Sequence, residues 1–213
     1  MRTIVLCLIL LLSATNIFAA VGCDLNDPDR DVKRLFPGST GYKTKYVSID
    51  KKGGNELFKE IEERLGDKFN GIYEKIDVPY TIYEISKGTV TIGYIHGINQ
   101  KGVYGGIQVF LALDLKSVIK NFYIQKLTAK YASKFRDSSF GGQFINLSLK
   151  EFYSYDVSSG TFNIPDSMVI INNPDPQSVK DFKAVLRAVK KNLILMDVFI
   201  YSNKHLPLFK KGN

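Results

Sequence analysis

The alternation of apolar and polar positions divides the chain into β-type and helical stretches. Residues 42–49 alternate as a strand does. Asn55 has the chemistry of an N-cap, and Leu57, Ile61 and Leu65 then fall four apart on one helical face before Gly66 stops the run. Glu56, Glu60, Glu62 and Glu63 lie mostly off that face and read as a solvated surface rather than a paired-carboxylate site. Residues 78–86 form the next strand, Lys87-Gly88 turns, and residues 89–95 return, which is a hairpin. Residues 107–113 are almost continuously apolar, the mark of a strand buried on both faces. Residues 114–117 turn and residues 118–124 make a further strand. Residues 127–136 read as a helix, and residues 154–173 show little periodicity. Val179, Phe182, Leu186, Val189, Leu193 and Met196 step three and four apart, which predicts a long helix with Ser178 at its N-cap. The fold class is therefore α+β: one domain, with helices packed on an antiparallel sheet of four or more strands.

The two ends read differently from the middle. Met1-Arg2-Thr3 precedes an apolar run over residues 4–12, and small and polar residues follow up to Cys23. This is the pattern of a secretory signal peptide, and it is short for a bilayer span. Ala20-Val21-Gly22-Cys23 resembles a bacterial lipoprotein box, so residues 1–22 read as a lipoprotein-type leader with Cys23 as the lipidated residue. Cleavage after Ala19 or Ala20 is the alternative. Asp24 resembles a signal for retention on the periplasmic side of an inner membrane. Residues 23–45 are polar and turn-rich and read as a tether, with one helical turn over residues 31–37; residues 46–203 are the domain and 204–213 a tail.

Cys7 lies in the leader and Cys23 at its end, so the domain itself holds no cysteine for a disulfide framework, a zinc site or a catalytic thiol. The net charge of +8 comes from lysines spread over every segment, with no basic and aromatic interleaving, which argues against nucleic acid as a partner. His96 and His205 are the only histidines, without cysteine partners, and there is no Gly-x-Ser-x-Gly elbow or Walker-type phosphate loop. His96 therefore reads as a hydrogen-bonded structural residue, with proton handling left open.

Residues 96–106 remain. They carry Gly97, Gly102, Gly105 and Gly106 between two strands, more than a plain hairpin needs. The sequence admits two readings: a loop whose bare backbone faces a ligand, or a wide turn that needs glycine dihedrals.

The order of motifs over residues 78–149 resembles the FMN-binding domain family, which includes flavin-carrying subunits of the sodium-pumping NADH:quinone reductase and of Rnf complexes. The matching pieces are Tyr83-Glu84-Ile85, Gly93-Tyr94, Gly102-Val103-Tyr104-Gly105-Gly106-Ile107, Ala112-Leu113-Asp114 and Gln143-Phe144. The resemblance implies FMN as cofactor, electron transfer with a redox protein partner, and a site built from Tyr104, Gly105, Gly106, Gln143 and Ser178. The family's flavinylation sequence, Ser-Gly-Ala-Thr, is replaced here by Asn173-Pro174-Asp175-Pro176. Asp156-Val157-Ser158-Ser159-Gly160-Thr161-Phe162 echoes it upstream, with Phe162 in the threonine position. The flavin implied is non-covalent. The alternative is a flavin-less, membrane-tethered lipoprotein that binds a partner or small ligand. A hydrolase centred on His96 ranks third, behind both.

Overall fold

The computed structural model describes residues 23–71, 73–163 and 170–212; the leader read from residues 1–22 lies outside them. Helix α1 spans Pro28–Leu35, strand β1 Gly41–Val47 and helix α2 Ile49–Leu65. Strands β2 (Tyr80–Lys87), β3 (Val90–Gly102), β4 (Gly105–Asp114) and β5 (Ile119–Lys126) follow. Short helices α3 (Ala132–Arg136), α4 (Ser138–Gly142) and α5 (Leu149–Phe152) lead to a small hairpin, β6 (Tyr155–Asp156) and β7 (Thr161–Phe162). A 3-10 turn at Pro176–Ser178 opens the 21-residue helix α6, Val179–Phe199, and α7 spans Leu206–Gly212.

The five strands pair antiparallel in sequence order, which is the α+β architecture expected from the pattern. The β2–β3 hairpin closes with Lys87 opposite Val90, around Gly88 as expected. Strand β4 is buried on both faces. Ile107, Val109, Leu111 and Leu113 face the main core with α2 and α6. Phe110 and Ala112 face a second core with Cys23, Leu25, Val32 and Leu35.

That second core corrects the tether. Residues 23–45 are part of the domain: α1 lies across the sheet and β1 pairs with β2 along its whole length. A sheet whose strands are apolar on both faces needs a cover on each, and the N-terminal segment is the second cover. The polar look of α1 is its outer face; Asp27 caps it, accepting from Arg30 N at 3.2 Å. The tail is also folded, since α7 lies within it and His205 is buried.

Two helix starts also differ. Helix α2 begins at Ser48, whose hydroxyl accepts from Lys51 N at 3.3 Å, with a break at Gly54 just before Asn55. Residues 127–131 are not helical, and α3 is a single turn.

Helix α6 is the axis of the molecule. All 15 residues from Val185 to Phe199 are buried, polar ones included. Three of the polar ones reach three different elements. Lys190 Nζ donates to Tyr155 O at 2.7 Å, Asn192 Nδ2 to His96 O at 2.9 Å, and Asp197 pairs with the fully buried Arg64 of α2. A buried polar group costs free energy unless it is hydrogen-bonded, so these partners fix where α6 sits and in which rotation.

Candidate ligand-binding cleft

Residues 96–106 do not form a loop. Strand β3 runs on to Gly102, pairs residue by residue with β4, and closes in a two-residue turn, Val103-Tyr104, between Gly102 and Gly105. Alternation continues through Ile98 and Gln100, but the glycines hide it from a pattern reading. Gly105 has φ of 128°, where a side chain is strained, so the turn itself requires that glycine. Gly102 is required for close approach. A Cβ there would lie 2.7 Å from Ile107 Cδ1 and 2.8 Å from Asp181 Oδ1.

Asp181, in the first turn of α6, clasps this turn. Its Oδ1 accepts from Val103 N at 2.7 Å and its Oδ2 from Tyr131 Oη at 2.7 Å, with no exposure of its own. Burial and this hydrogen bond hold the Tyr131 hydroxyl up at about 12. Asp181→Ala leaves two donors without their partner. We expect a loss of about 1–3 kcal/mol in a denaturant melt, with faster amide exchange at Val103.

Beside the turn lies a cleft of about 700 Å³. The turn and the end of β3 form one wall, residues 67–71 with Tyr73 and Glu74 another, and Lys180 and Arg187 of α6 the third. This size falls in the range of small-molecule sites. Its floor is a closed electrostatic knot. Arg187 donates to Asp67 Oδ2 (2.7 Å), Glu74 Oε1 (2.7 Å), Gln100 Oε1 (2.8 Å) and Lys68 O (3.0 Å). Lys191 Nζ donates to the same Glu74 carboxylate and, at 3.0 Å, to Asn99 O. Burial pushes the Glu74 carboxyl up, but Lys191 and Arg187 more than offset it and hold it below the usual range. Burial lowers the Lys191 ammonium to about 8 even with Glu74 beside it. At neutral pH the knot is two cations and two carboxylates, and the Arg187 guanidinium is occupied.

The lining cations outside the knot are Lys101 and Lys180. Both are exposed, and neither forms an ion pair among the described residues. Asn70 and Tyr73 add a side-chain amide and a hydroxyl, and Gly105 and Gly106 add bare backbone. No Ser, Thr, Cys or His side chain lines the cleft among the described residues. The arrangement sets two exposed ammonium groups beside glycine backbone and the Tyr73 side chain.

The five residues implied by the resemblance separate. Gly105 and Gly106 line the cleft. Gly106 has no positive φ, and an added Cβ would touch Tyr73 Oη at 3.6 Å, an ordinary contact, so the strain expected there is at Gly105 instead. The Tyr73 phenol therefore sits over Gly106 where the resemblance would put a flavin ring. Tyr104 points away, 68% exposed at the turn. Gln143 belongs to a different surface, where its amide grips the backbone of Asn172, accepting from N at 2.7 Å and donating to O at 3.3 Å. Ser178 is buried and stands at the N-cap position of α6 as expected, but without a side-chain hydrogen bond into the helix; its hydroxyl donates toward Asn173 Oδ1 at 2.6 Å. Asp175 and Pro176 stand immediately before that helix, with Asp175 Oδ1 accepting from Gln177 N at 2.7 Å. The upstream echo is the β6–β7 turn, tied by Asp156, whose Oδ1 accepts from Ser158 N at 2.8 Å. These residues do not fit FMN held in the family's manner.

No family model matches the chain, and no curated protein does. The resemblance rests on its motifs alone.

His96 stands behind the cleft, fully buried. Its Nδ1 meets Asn192 Oδ1 at 2.9 Å, while Nε2 makes no hydrogen bond. Burial pulls its pKa down to about 4, so the ring is neutral at physiological pH. The Tyr80 hydroxyl, whose ring centroid is 5.8 Å from the imidazole, is equally unpartnered. Cys23 is 3% exposed in the second core, and burial pushes its thiol well up. A lipid on this sulfur requires the side chain to leave that core.

Sequence reasoning missed Arg187, Glu74, Lys191 and Asp181. The available signal was the charge on α6: Asp181, Arg187 and Lys191 fall on neighbouring turns of a helix otherwise rich in apolar residues.

Proposed function

We propose that this is a binding protein whose cleft takes a small organic anion with a flat apolar body. One observation carries the reading. The cleft's floor charges are consumed among themselves, while Lys101 and Lys180 at its walls are left to meet a ligand. Backbone at Gly105 and Gly106 and the Tyr73 ring supply the apolar surface. FMN is one such anion, and the electron-transfer role implied by the motifs stands or falls with it. Its mode in the cleft differs from the family's, since Gln143 and Ser178 take no part. The leader pattern of residues 1–22 supports export and a working place at the outer face of a membrane.

Titration with FMN and with riboflavin, which lacks the phosphate, tests this. A charge-assisted contact contributes about 1.5–3 kcal/mol, so FMN should bind tenfold or more tightly than riboflavin. The double variant Lys101→Glu/Lys180→Glu should abolish that preference while melting at the parent temperature. Equal affinity for both compounds, or no binding of either, contradicts the reading.

A further inference from the structure

We propose that the end of the molecule carrying the β3–β4 turn docks on an anionic phospholipid bilayer. The turn presents Val103 (47% exposed) and Tyr104 (68%), and Val179 (49%) stands beside it at the start of α6. The Asp181 clasp ties the β3–β4 turn to the first turn of α6, because Val103 N donates to a carboxylate two residues beyond Val179. Lys101, Lys126, Lys130 and Lys180 lie exposed at this end, and none forms an ion pair among the described residues. The acids nearby are largely spent: Asp181 is buried and Asp175 pairs with Lys134 at 2.9 Å, leaving the Asp24 carboxylate. Apolar side chains ringed by ammonium groups match a bilayer surface, where apolar atoms enter below the headgroups and lysines meet the phosphates.

The path of the chain selects this end. Asn26 N donates to Gln125 Oε1 at 2.9 Å, and Gln125 Nε2 donates to Asp24 O at 2.9 Å and to Gln108 Oε1 at 3.1 Å. Gln108 stands three residues from Gly105, roughly 10 Å along the strand. Helix α1 then runs to the opposite end of the sheet, where Asn121 Nδ2 donates to Leu35 O and Phe36 covers Gly93. Residues 1–22 therefore join the domain at the same end as the turn. An apolar leader, or a membrane-bound first residue, would hold that end toward the bilayer. Val90 and Leu115 are also exposed, but at the far end of the sheet.

The chain contains no tryptophan, which makes a site-specific reporter simple. Tyr104→Trp in the full chain should show a blue-shifted emission with vesicles of phosphatidylcholine mixed with phosphatidylglycerol. Lipids brominated on their acyl chains should quench it, and molar salt should reverse the shift. Phosphatidylcholine alone should leave it unchanged, as should Val90→Trp with either vesicle. Tyr104→Ser/Val179→Ser should weaken vesicle partitioning at least tenfold. Neither residue lines the cleft, so FMN titration of that variant should match the parent. Unshifted emission with anionic vesicles, an equal shift for Val90→Trp, or undiminished partitioning of the serine variant overturns the docking. Loss of FMN binding in the parent with these vesicle results intact would overturn only the cleft reading.

Discussion

Arg187→Met is expected to lower the stability of the domain by about 3–5 kcal/mol and to erase the cleft, because it takes one of two cations from the buried Glu74 carboxylate and removes the partner of the half-exposed Asp67. Glu74 is 6% exposed and would keep only Lys191 and Asn70 N as partners; Asp67 would lose its 2.7 Å contact and Gln100 its donor. For a domain near 190 residues that loss corresponds to a fall in melting temperature of about 10 °C. The surface pair Lys45–Glu84 makes the contrast. With the lysine 52% exposed, its removal should cost less than about 1 kcal/mol. Calorimetry measures both. Amide exchange locates the damage, which should centre on Phe69 and Asn70. Their N–H groups donate to Glu62 and Glu74, and the second of these carboxylates is the one that loses Arg187. Adding Glu74→Gln to the variant should deepen the loss, since Glu74 still pairs with Lys191 and its neutralisation strands that buried ammonium. A melting temperature unchanged in Arg187→Met would show that the knot contributes nothing to the fold.

The second large effect is acid lability. In the unfolded chain His96 takes up a proton near pH 6.5, whereas in the fold burial delays this to about 4. Between those values the unfolded state binds more protons, so stability rises with pH there and is lost as pH falls from 6.5 to 4. The shift corresponds to about 3 kcal/mol. His205, whose pKa burial also lowers, acts in the same direction. The groups around His96 add no acid to stabilise its charged form. Asn192 faces Nδ1, the Tyr80 ring lies alongside, and the Lys191 ammonium disfavours a second charge. Urea midpoints at pH 7 and pH 4.5 should differ accordingly. His96→Gln should be less stable at pH 7 yet show a flatter profile. A profile equally steep in that variant would assign the acid lability to other groups.

The sheet was legible because its signals are local. The β2–β3 hairpin turns at Gly88-Thr89, one residue beyond the Lys87-Gly88 expected, and the double burial of β4 is written as a continuous apolar run. The second cover of the sheet was not legible. Helix α1 is mostly charged, and its buried residues are Asp31, Val32 and Leu35, only two of them apolar, a signal that needs knowledge of what lies beneath. The cleft was half legible. Glycines at positions 102, 105 and 106 marked the right end of the sheet, but glycine density was read as loop when it reflected a close approach and a tight turn. The floor of the cleft joins residues 67, 74, 100, 187 and 191, and a long-range ion knot leaves no periodicity in a sequence. Gln143, which the resemblance implies as a cofactor-binding residue, instead holds the Asn172 backbone, a partner that no sequence pattern announces.

The central claim is that ligand binding happens between the β3–β4 turn and residues 67–74. An amide-resolved NMR titration of the purified domain with FMN tests it most directly. The account predicts that the shifts concentrate on Asn70, Gly71, Lys101, Val103, Gly105 and Gly106, with Gln143 and residues 172–178 unmoved. Shifts centred on Gln143, Asn172 and Ser178 would contradict it and would return the site to the place the motif resemblance implies.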